Sequence, residues 1–164
     1  IFNLLGPHTN PCNAKRQILG VYDKGLLKTF GNVSNLLKMH HVLVVHGNDG
    51  LDEISITDKT FVTELKDGNL NQFEIQPEDF GLSRANITAL KAETPEKSLE
   101  LINAAFEGKE SPVQDMISLN AGASLYLSSA SNSIKDGVSL AKELLNNGKA
   151  KQTFSSYIEM TNSL

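Results

Sequence analysis

The sequence is poor in cysteine and has no segment suited to a membrane. Cys12 is the only cysteine among 164 residues, which excludes an intramolecular disulfide and a paired-thiolate metal site. A single cysteine suits a reducing compartment, so we expect a cytoplasmic protein. No apolar run has the length of a membrane span, and the run IFNLLG lacks the preceding basic segment of a signal peptide. No membrane partner is predicted.

Positive charge is also scarce. The formal net charge is −4, so the chain has no basic field of the kind that attracts nucleic acid, and no nucleic-acid partner is predicted. The motifs GxSxG and HExxH and the Walker phosphate loop are absent too, which removes the strongest sequence signals for three large enzyme classes. What the chain has is 40% hydrophobic and 21% charged residues, the composition of one globular domain.

Strand-like and helix-like segments alternate along the first third of the chain, which predicts an α/β fold. The segments QILGVY (17–22) and HVLVVHG (41–47) predict buried strands. A strand, a helix and a second strand form one crossover unit, so these two strands should pair in parallel. The intervening helix is predicted to carry one apolar face, formed by Leu26, Phe30, Val33 and Leu37.

The pattern then changes to an antiparallel hairpin followed by helices. TFVTEL and NLNQFEI flank Asp67 and Gly68, a turn signal between two strands. Helix starts are predicted at Thr94, Ser111 and Ser133, each of which can cap a helix. The predicted fold is therefore a mixed, mainly parallel sheet with an antiparallel hairpin and flanking helices.

The residues with the clearest chemical potential lie in VVHGNDGLDEIS. The loop after the carboxyl end of a parallel strand lines the ligand crevice of an open α/β sheet, and this loop carries His46, Asp49, Asp52 and Glu53. Its glycines permit a turn that could bring the adjacent carboxylates together. Such a pair fits Mg²⁺ better than zinc. From the spacing alone, a solvated acidic loop is an open alternative.

Three other features have competing interpretations. His46 could polarise a substrate, although a histidine at a strand end more often bonds to a backbone carbonyl. His40 and His41 are predicted to form a solvated connection before the strand. Gly6 and Pro7 define a rigid turn, either as ordinary loop chemistry or as the wall of a ligand pocket.

Five segments are informative when they are taken together and in this order: IFNLLGPHTNP, NAKRQILGVY, VVHGNDGLDEIS, ELKDGNLNQFEIQPEDFGL and LNAGASLYL. Together they resemble the C-terminal half of the anthranilate phosphoribosyltransferase family. The resemblance extends over nearly the whole chain, and DGLDE and FNLLGP with the following TNP are its most specific parts. The helices near the C-terminus carry little identifying information.

The resemblance implies a phosphoribosyl transfer in tryptophan biosynthesis, from phosphoribosyl pyrophosphate to anthranilate, with pyrophosphate as leaving group. Because charge develops on the sugar and on the leaving group, the protein must chiefly hold charges in place. By resemblance, Asp52 and Glu53 bind Mg²⁺ on the pyrophosphate side. Gly6 and Pro7 border the anthranilate slot, and no residue of this chain is expected to act as a nucleophile.

The same resemblance implies a larger protein. Residues 1–164 would be the C-terminal part of the glycosyltransferase α/β domain, within a fold of the nucleoside-phosphorylase and phosphoribosyltransferase type. We expect a small helical domain that forms a homodimer, and a glycine-rich phosphate loop, to lie upstream. The fragment alone is then expected to be inactive. His8, where the family usually has leucine, is a departure beside the slot.

Two other functions remain possible at this point. A pyrimidine nucleoside phosphorylase shares the architecture, but the acidic DGLDE loop does not favour it. A non-catalytic relative that binds nucleic acid is disfavoured by the negative net charge.

Overall fold

A computed structural model describes residues 6–163; positions 1–5 of the IFNLLGPHTNP segment lie outside the described residues. Short 3₁₀ helices occupy Gly6–Thr9, Pro77–Phe80 and Ile87–Leu90. The strands are β1 (Arg16–Gly20), β2 (His41–Gly47), β3 (Thr60–Lys66) and β4 (Asn69–Ile75). The α-helices are α1 (Leu26–Leu36), α2 (Pro95–Phe106), α3 (Pro112–Leu127), α4 (Ile134–Asn146) and α5 (Lys149–Asn162). None of the helices in this part of the chain is long and apolar enough to cross a membrane.

The four strands form one mixed sheet in the order β1-β2-β3-β4. β1 pairs in parallel with β2, as the predicted crossover requires, while β2 with β3 and β3 with β4 are antiparallel. The predicted mixed α/β fold with its hairpin is confirmed, but within residues 6–163 parallel pairing does not predominate. The reason is local: the connection between β2 and β3 contains no helix, and a parallel return needs a long crossover.

The hairpin between β3 and β4 forms at the predicted turn. Asp67 has φ 49° and Gly68 has φ 82°, and positive φ at both central residues defines the turn whose twist matches two antiparallel strands. Lys66 consequently pairs with Asn69.

The core lies on both faces of the sheet. In β2, Val42 and Val44 face a cluster that includes residues of α1, whereas Leu43 and Val45 face α3 and α4. All four side chains are completely buried, as expected of a strand that is covered on both sides.

The buried face of α1 agrees with the predicted one at Leu26 and Phe30, which pack against the core, and differs from it further along the helix. Val33 and Leu37 are 37% and 44% exposed, and the buried residues of the helix are Leu27, Gly31 and Ser34. Gly31 is consistent with this rotation, because a β-carbon there would lie 2.7 Å from the methyl carbon of the buried Thr63 and 2.9 Å from a methyl carbon of Leu70. The helix approaches the sheet through its glycine, an approach that a larger side chain would block.

The predicted helix starts are confirmed by their caps. The side chains of Thr94, Ser111 and Ser133 each accept a hydrogen bond from the backbone N–H three residues later. Such caps satisfy donors that have no partner inside the helix. From these starts, α3 packs against β1 and β2, and α4 packs on α3.

Candidate functional site

The loop after β2 folds back on the end of its own strand. The backbone N–H of Gly47 donates to the carbonyl of Leu51 over 2.7 Å, and that of Gly50 donates to Gly47 over 2.9 Å. Gly50 has φ 93°, a conformation that other residues rarely adopt. The predicted turn is therefore present.

Asp49, although exposed, holds this turn together through its carboxylate. Its carboxylate accepts hydrogen bonds from the hydroxyls of Ser55 and Thr57 and from the backbone N–H of Leu51 at 3.2 Å. Burial alone would raise the pKa of Asp49, but these hydrogen bonds outweigh it and keep that pKa below its ordinary value. Because its oxygens are already bonded within the loop, Asp49 has a structural role.

Asp52 and Glu53 are exposed, like Asp49, but they differ from it in their bonding. Across residues 6–163, neither carboxylate has a hydrogen bond or an ion pair. The backbone of Asp52 lies directly against the end of β1: a β-carbon on Gly20 would be 2.7 Å from the carbonyl carbon of Asp52 and closer still to its oxygen. Gly20 thus provides the space that sets the position of this part of the loop.

Asn120 fixes the loop from the opposite side. Its Oδ1 accepts from the backbone N–H of Ile54 at 3.0 Å, and its Nδ2 donates to the carbonyl of Ile54 at 2.9 Å. One side chain of α3 therefore satisfies both backbone groups of the residue that follows Glu53. The sequence analysis did not identify this role, although a polar residue within the otherwise apolar stripe of α3 was the available signal.

The two histidine predictions had opposite outcomes. His46 Nδ1 lies 2.8 Å from the carbonyl of Val21, which confirms the structural interpretation; a carbonyl can only accept, so Nδ1 carries the proton. The prediction of a solvated His41 is wrong, whereas His40 is exposed. His41 is 3% exposed, since β2 begins with it and its Nε2 lies 2.7 Å from a carboxylate oxygen of Glu64.

Gly6 and Pro7 belong to the 3₁₀ helix Gly6–Thr9. The carbonyl of Pro7 accepts a hydrogen bond from Nε2 of Gln17 at 3.1 Å, which ties the turn to β1. His8 Nε2 lies 3.0 Å from Oγ of Ser34 in α1, and burial lowers the pKa of His8 below its ordinary value. The turn is therefore attached to two elements of the fold.

The cavity beside this turn has a volume of about 80 Å³. Ligand sites usually measure roughly 300–1,000 Å³, so this cavity is too small to hold an aromatic substrate, and the turn forms one wall of it. This wall and the acidic loop both lie along β1. Gln17, which bonds to the turn, and Gly20, which contacts the acidic loop, are three positions apart. This separation is about 10 Å along a strand.

The acidic loop fits one type of metal. Across residues 6–163, no group of three or more His, Cys, Asp and Glu side chains is arranged to hold a metal ion, so a closed zinc site is not formed there. Mg²⁺ commonly takes one or two carboxylates, with water and substrate phosphates completing its shell. Asp52 and Glu53, exposed and unpaired in this part of the chain, match that requirement.

Comparison with known proteins gives one family. The model of the glycosyl transferase family, a/b domain, matches residues 1–151. The anthranilate phosphoribosyltransferase of Methanobrevibacter smithii is 44% identical over 163 residues, which are 99% of this chain and 49% of that protein. The enzyme of the same name from Vesicomyosocius okutanii is 42% identical, covering 96% of this chain and 47% of the relative. The chain thus spans about half the length of these relatives.

Solved structures agree. Anthranilate phosphoribosyltransferase (TrpD) from Thermus thermophilus superposes with a TM-score of 0.87 at 36% identity, over 96% of this chain and 46% of that one. The Saccharomyces cerevisiae enzyme in complex with PRPP and Mg gives 0.86 at 29% identity, over 99% of this chain and 47% of that one. The same enzyme in complex with 4-fluoroanthranilate gives a TM-score of 0.87 at 29% identity, over 99% of this chain and 48% of that one.

Proposed function

Because this chain belongs to the glycosyl transferase family, matching its a/b domain, we propose that the full-length protein is an anthranilate phosphoribosyltransferase. It transfers the phosphoribosyl group of phosphoribosyl pyrophosphate to the amine of anthranilate, giving N-(5-phosphoribosyl)anthranilate and pyrophosphate in tryptophan biosynthesis. The names of the relatives and of the structural neighbours support this reaction.

The observation that carries the proposal is the pair of exposed carboxylates on a fixed loop. Asp52 and Glu53 would hold Mg²⁺, and the loop that presents them is secured by Gly20 on one side and by Asn120 on the other. A magnesium ion there would supply positive charge against the phosphate oxygens of the leaving group. Asp49, bonded inside the loop, keeps that geometry without joining the ligand set.

Gly6 and Pro7 would form part of the anthranilate slot. A flat aromatic acid needs a wall that does not have to be ordered on binding, and this turn is bonded to Gln17 and to Ser34. The described residues carry no nucleophile role in this scheme. Their work is to hold the acceptor and the departing pyrophosphate in place.

The remaining parts of the enzyme would correspond to the half of its relatives that this chain does not cover. We assign residues 1–164 to the C-terminal part of the glycosyltransferase α/β domain, and we place the small helical domain, the glycine-rich phosphate loop and the homodimer contact upstream. A cytoplasmic location suits the single cysteine, which is free and exposed. No specific observation favours the nucleoside phosphorylase or the nucleic-acid-binding alternative.

The test is made in the full-length protein with Asp52→Asn combined with Glu53→Gln. The amides keep the volume of the side chains but lose the charge that a hard cation needs. The magnesium concentration for half-maximal formation of phosphoribosylanthranilate should rise at least about tenfold, while thermal unfolding stays unchanged. The control is Glu93→Gln with Glu110→Gln, which removes the same charge from exposed positions outside the loop.

An unchanged magnesium requirement would refute the metal role. If the wild-type protein forms no phosphoribosylanthranilate at all, the transferase proposal is wrong, and phosphate-dependent cleavage of a nucleoside would then identify the phosphorylase alternative.

A further inference from the structure

Gln17 is a partly buried polar residue at the edge of an apolar cluster. Strand alternation places its side chain on the same side of β1 as Leu19, which is 4% exposed and belongs to the cluster under α1. The small cavity beside it is lined by the apolar Leu37 and Met39 and by polar residues that include His8, Asn10 and Lys15. Gln17 therefore lies at the border between the apolar cluster and this polar cavity.

The amide of Gln17 is only half satisfied. Its Nε2 donates to the carbonyl of Pro7 at 3.1 Å, and because a carbonyl can only accept, this contact fixes which end of the amide faces the turn. Its Oε1 is buried without a partner, and in residues 6–163 it is the one side-chain oxygen or nitrogen in that situation. A buried acceptor that lacks a donor is unfavourable for folding.

We propose that Gln17 is a positioning residue for the acceptor substrate, retained for the carbonyl of Pro7 at the expense of stability. The bond fixes the peptide unit between Pro7 and His8, and thereby the wall that anthranilate would contact. This role rests on the proposed function. Strained or unsatisfied groups are typically kept where a site needs them.

The proposal assigns different effects to the two substrates. The turn at Pro7 contacts Gln17, whereas the carboxylates assigned to the phosphate side are fixed by Gly20 and by Asn120. Loss of the Gln17 amide therefore releases the anthranilate wall and leaves the magnesium loop in place.

The decisive variant is Gln17→Met in the full-length protein. It removes both the bond to Pro7 and the unpaired oxygen with little change in volume. The KM for anthranilate should rise about fivefold, which corresponds to one hydrogen bond, and the KM for phosphoribosyl pyrophosphate should change less than twofold. The melting temperature should stay equal or increase. Hydrogen exchange of the amides at residues 8–10 should become faster.

Two further variants make the result specific. Gln17→Glu keeps the length of the side chain but replaces the donor by a carboxylate, and it should impair anthranilate binding at least as much. Gln72→Met removes a comparable hydrogen bond of a glutamine side chain, in which Nε2 donates to Oγ1 of Thr63 at 3.0 Å in the hairpin. This control should leave both KM values unchanged.

A lower melting temperature with unaltered KM values for Gln17→Met would overturn the proposal, since the amide would then act only in folding. Equal increases of both KM values would overturn it as well. If the wild-type protein has no transferase activity, the proposed function fails by itself. Faster exchange at residues 8–10 in Gln17→Met would still support positioning of Pro7, and unchanged exchange would refute it.

Discussion

A single methyl group at Gly20 should disable the acidic loop while leaving the fold intact. Gly20 is not required for its backbone conformation, because its φ lies outside the left-handed region. It is required for space. In Gly20→Ala, the new β-carbon would lie 2.7 Å from the carbonyl carbon of Asp52 and 3.0 Å from its β-carbon.

The size of the effect follows from these distances. Carbon atoms in contact prefer a separation of about 3.5–4.0 Å, and the carbonyl oxygen of Asp52 lies closer still to the added β-carbon, so the backbone of Asp52 must move by more than about 1 Å. Overpacking of this kind costs about 1–3 kcal/mol of folding free energy, which is less than the stability of an ordinary domain. A displacement of about 1 Å at a catalytic site, by contrast, can lower activity about 100-fold.

The assay compares magnesium-dependent formation of phosphoribosylanthranilate with thermal unfolding in the full-length protein. Gly20→Ala should lower kcat/KM about 100-fold while cooperative unfolding is retained. The control is Gly25→Ala, where φ is −61° and the nearest atom is a flexible carboxylate oxygen of Asp23 at 3.2 Å. Wild-type activity in Gly20→Ala would show that the position of Asp52 does not matter, and would remove the main support for the magnesium loop.

Two other substitutions test the supports of the same loop. Asp49→Asn should lower the free energy of unfolding by about 1–2 kcal/mol at neutral pH, because the amide offers one neutral acceptor oxygen where the carboxylate offers two charged ones. Chemical denaturation would measure this. The pKa of Asp49 is lower in the folded state than its ordinary value. The stabilisation by its carboxylate is therefore present at pH values above the ordinary aspartate pKa and is lost as the pH falls through the folded-state pKa. The stability difference between wild type and Asp49→Asn should disappear in acid, and a difference that persists there would contradict this role. Asn120→Leu leaves both backbone groups of Ile54 unpaired. It should lower the free energy of unfolding by about 2 kcal/mol and raise the magnesium concentration that the enzyme requires. A loss of stability with unchanged magnesium dependence would show that Asn120 does not support the site.

The parts of the fold with strong local signals could be predicted. The parallel pair came from a strand–helix–strand pattern, the hairpin from Asp67 and Gly68, and the helix starts from their capping residues. The buried face of α1 could be derived from periodicity only in part, because Gly31 packs closely on Thr63 and Leu70, in strands that are distant in sequence. Apolar spacing identifies a helix, but the approach of the sheet decides its orientation.

The candidate site shows the same division. The loop with Asp52 and Glu53 could be identified from its residue types and its place after a buried strand. Its supports could not, because Asn120 acts across 66 positions of sequence and Gly20 acts by having no side chain. The burial of His41 depends on Glu64 in a neighbouring strand, and no local pattern indicates such a pairing.

Because the strands of the described sheet follow one another in the order of the chain, most of the sheet can fold through contacts between near neighbours. Such short loop closures are entropically inexpensive and fast. The hydrogen bonds between Asn120 and Ile54 join residues 66 positions apart in the sequence. The hydrogen bond from Arg16 to the carbonyl of Leu127 joins residues 111 positions apart. We therefore expect the supports of the acidic loop to form after the strand pairing that places it, because they close longer loops.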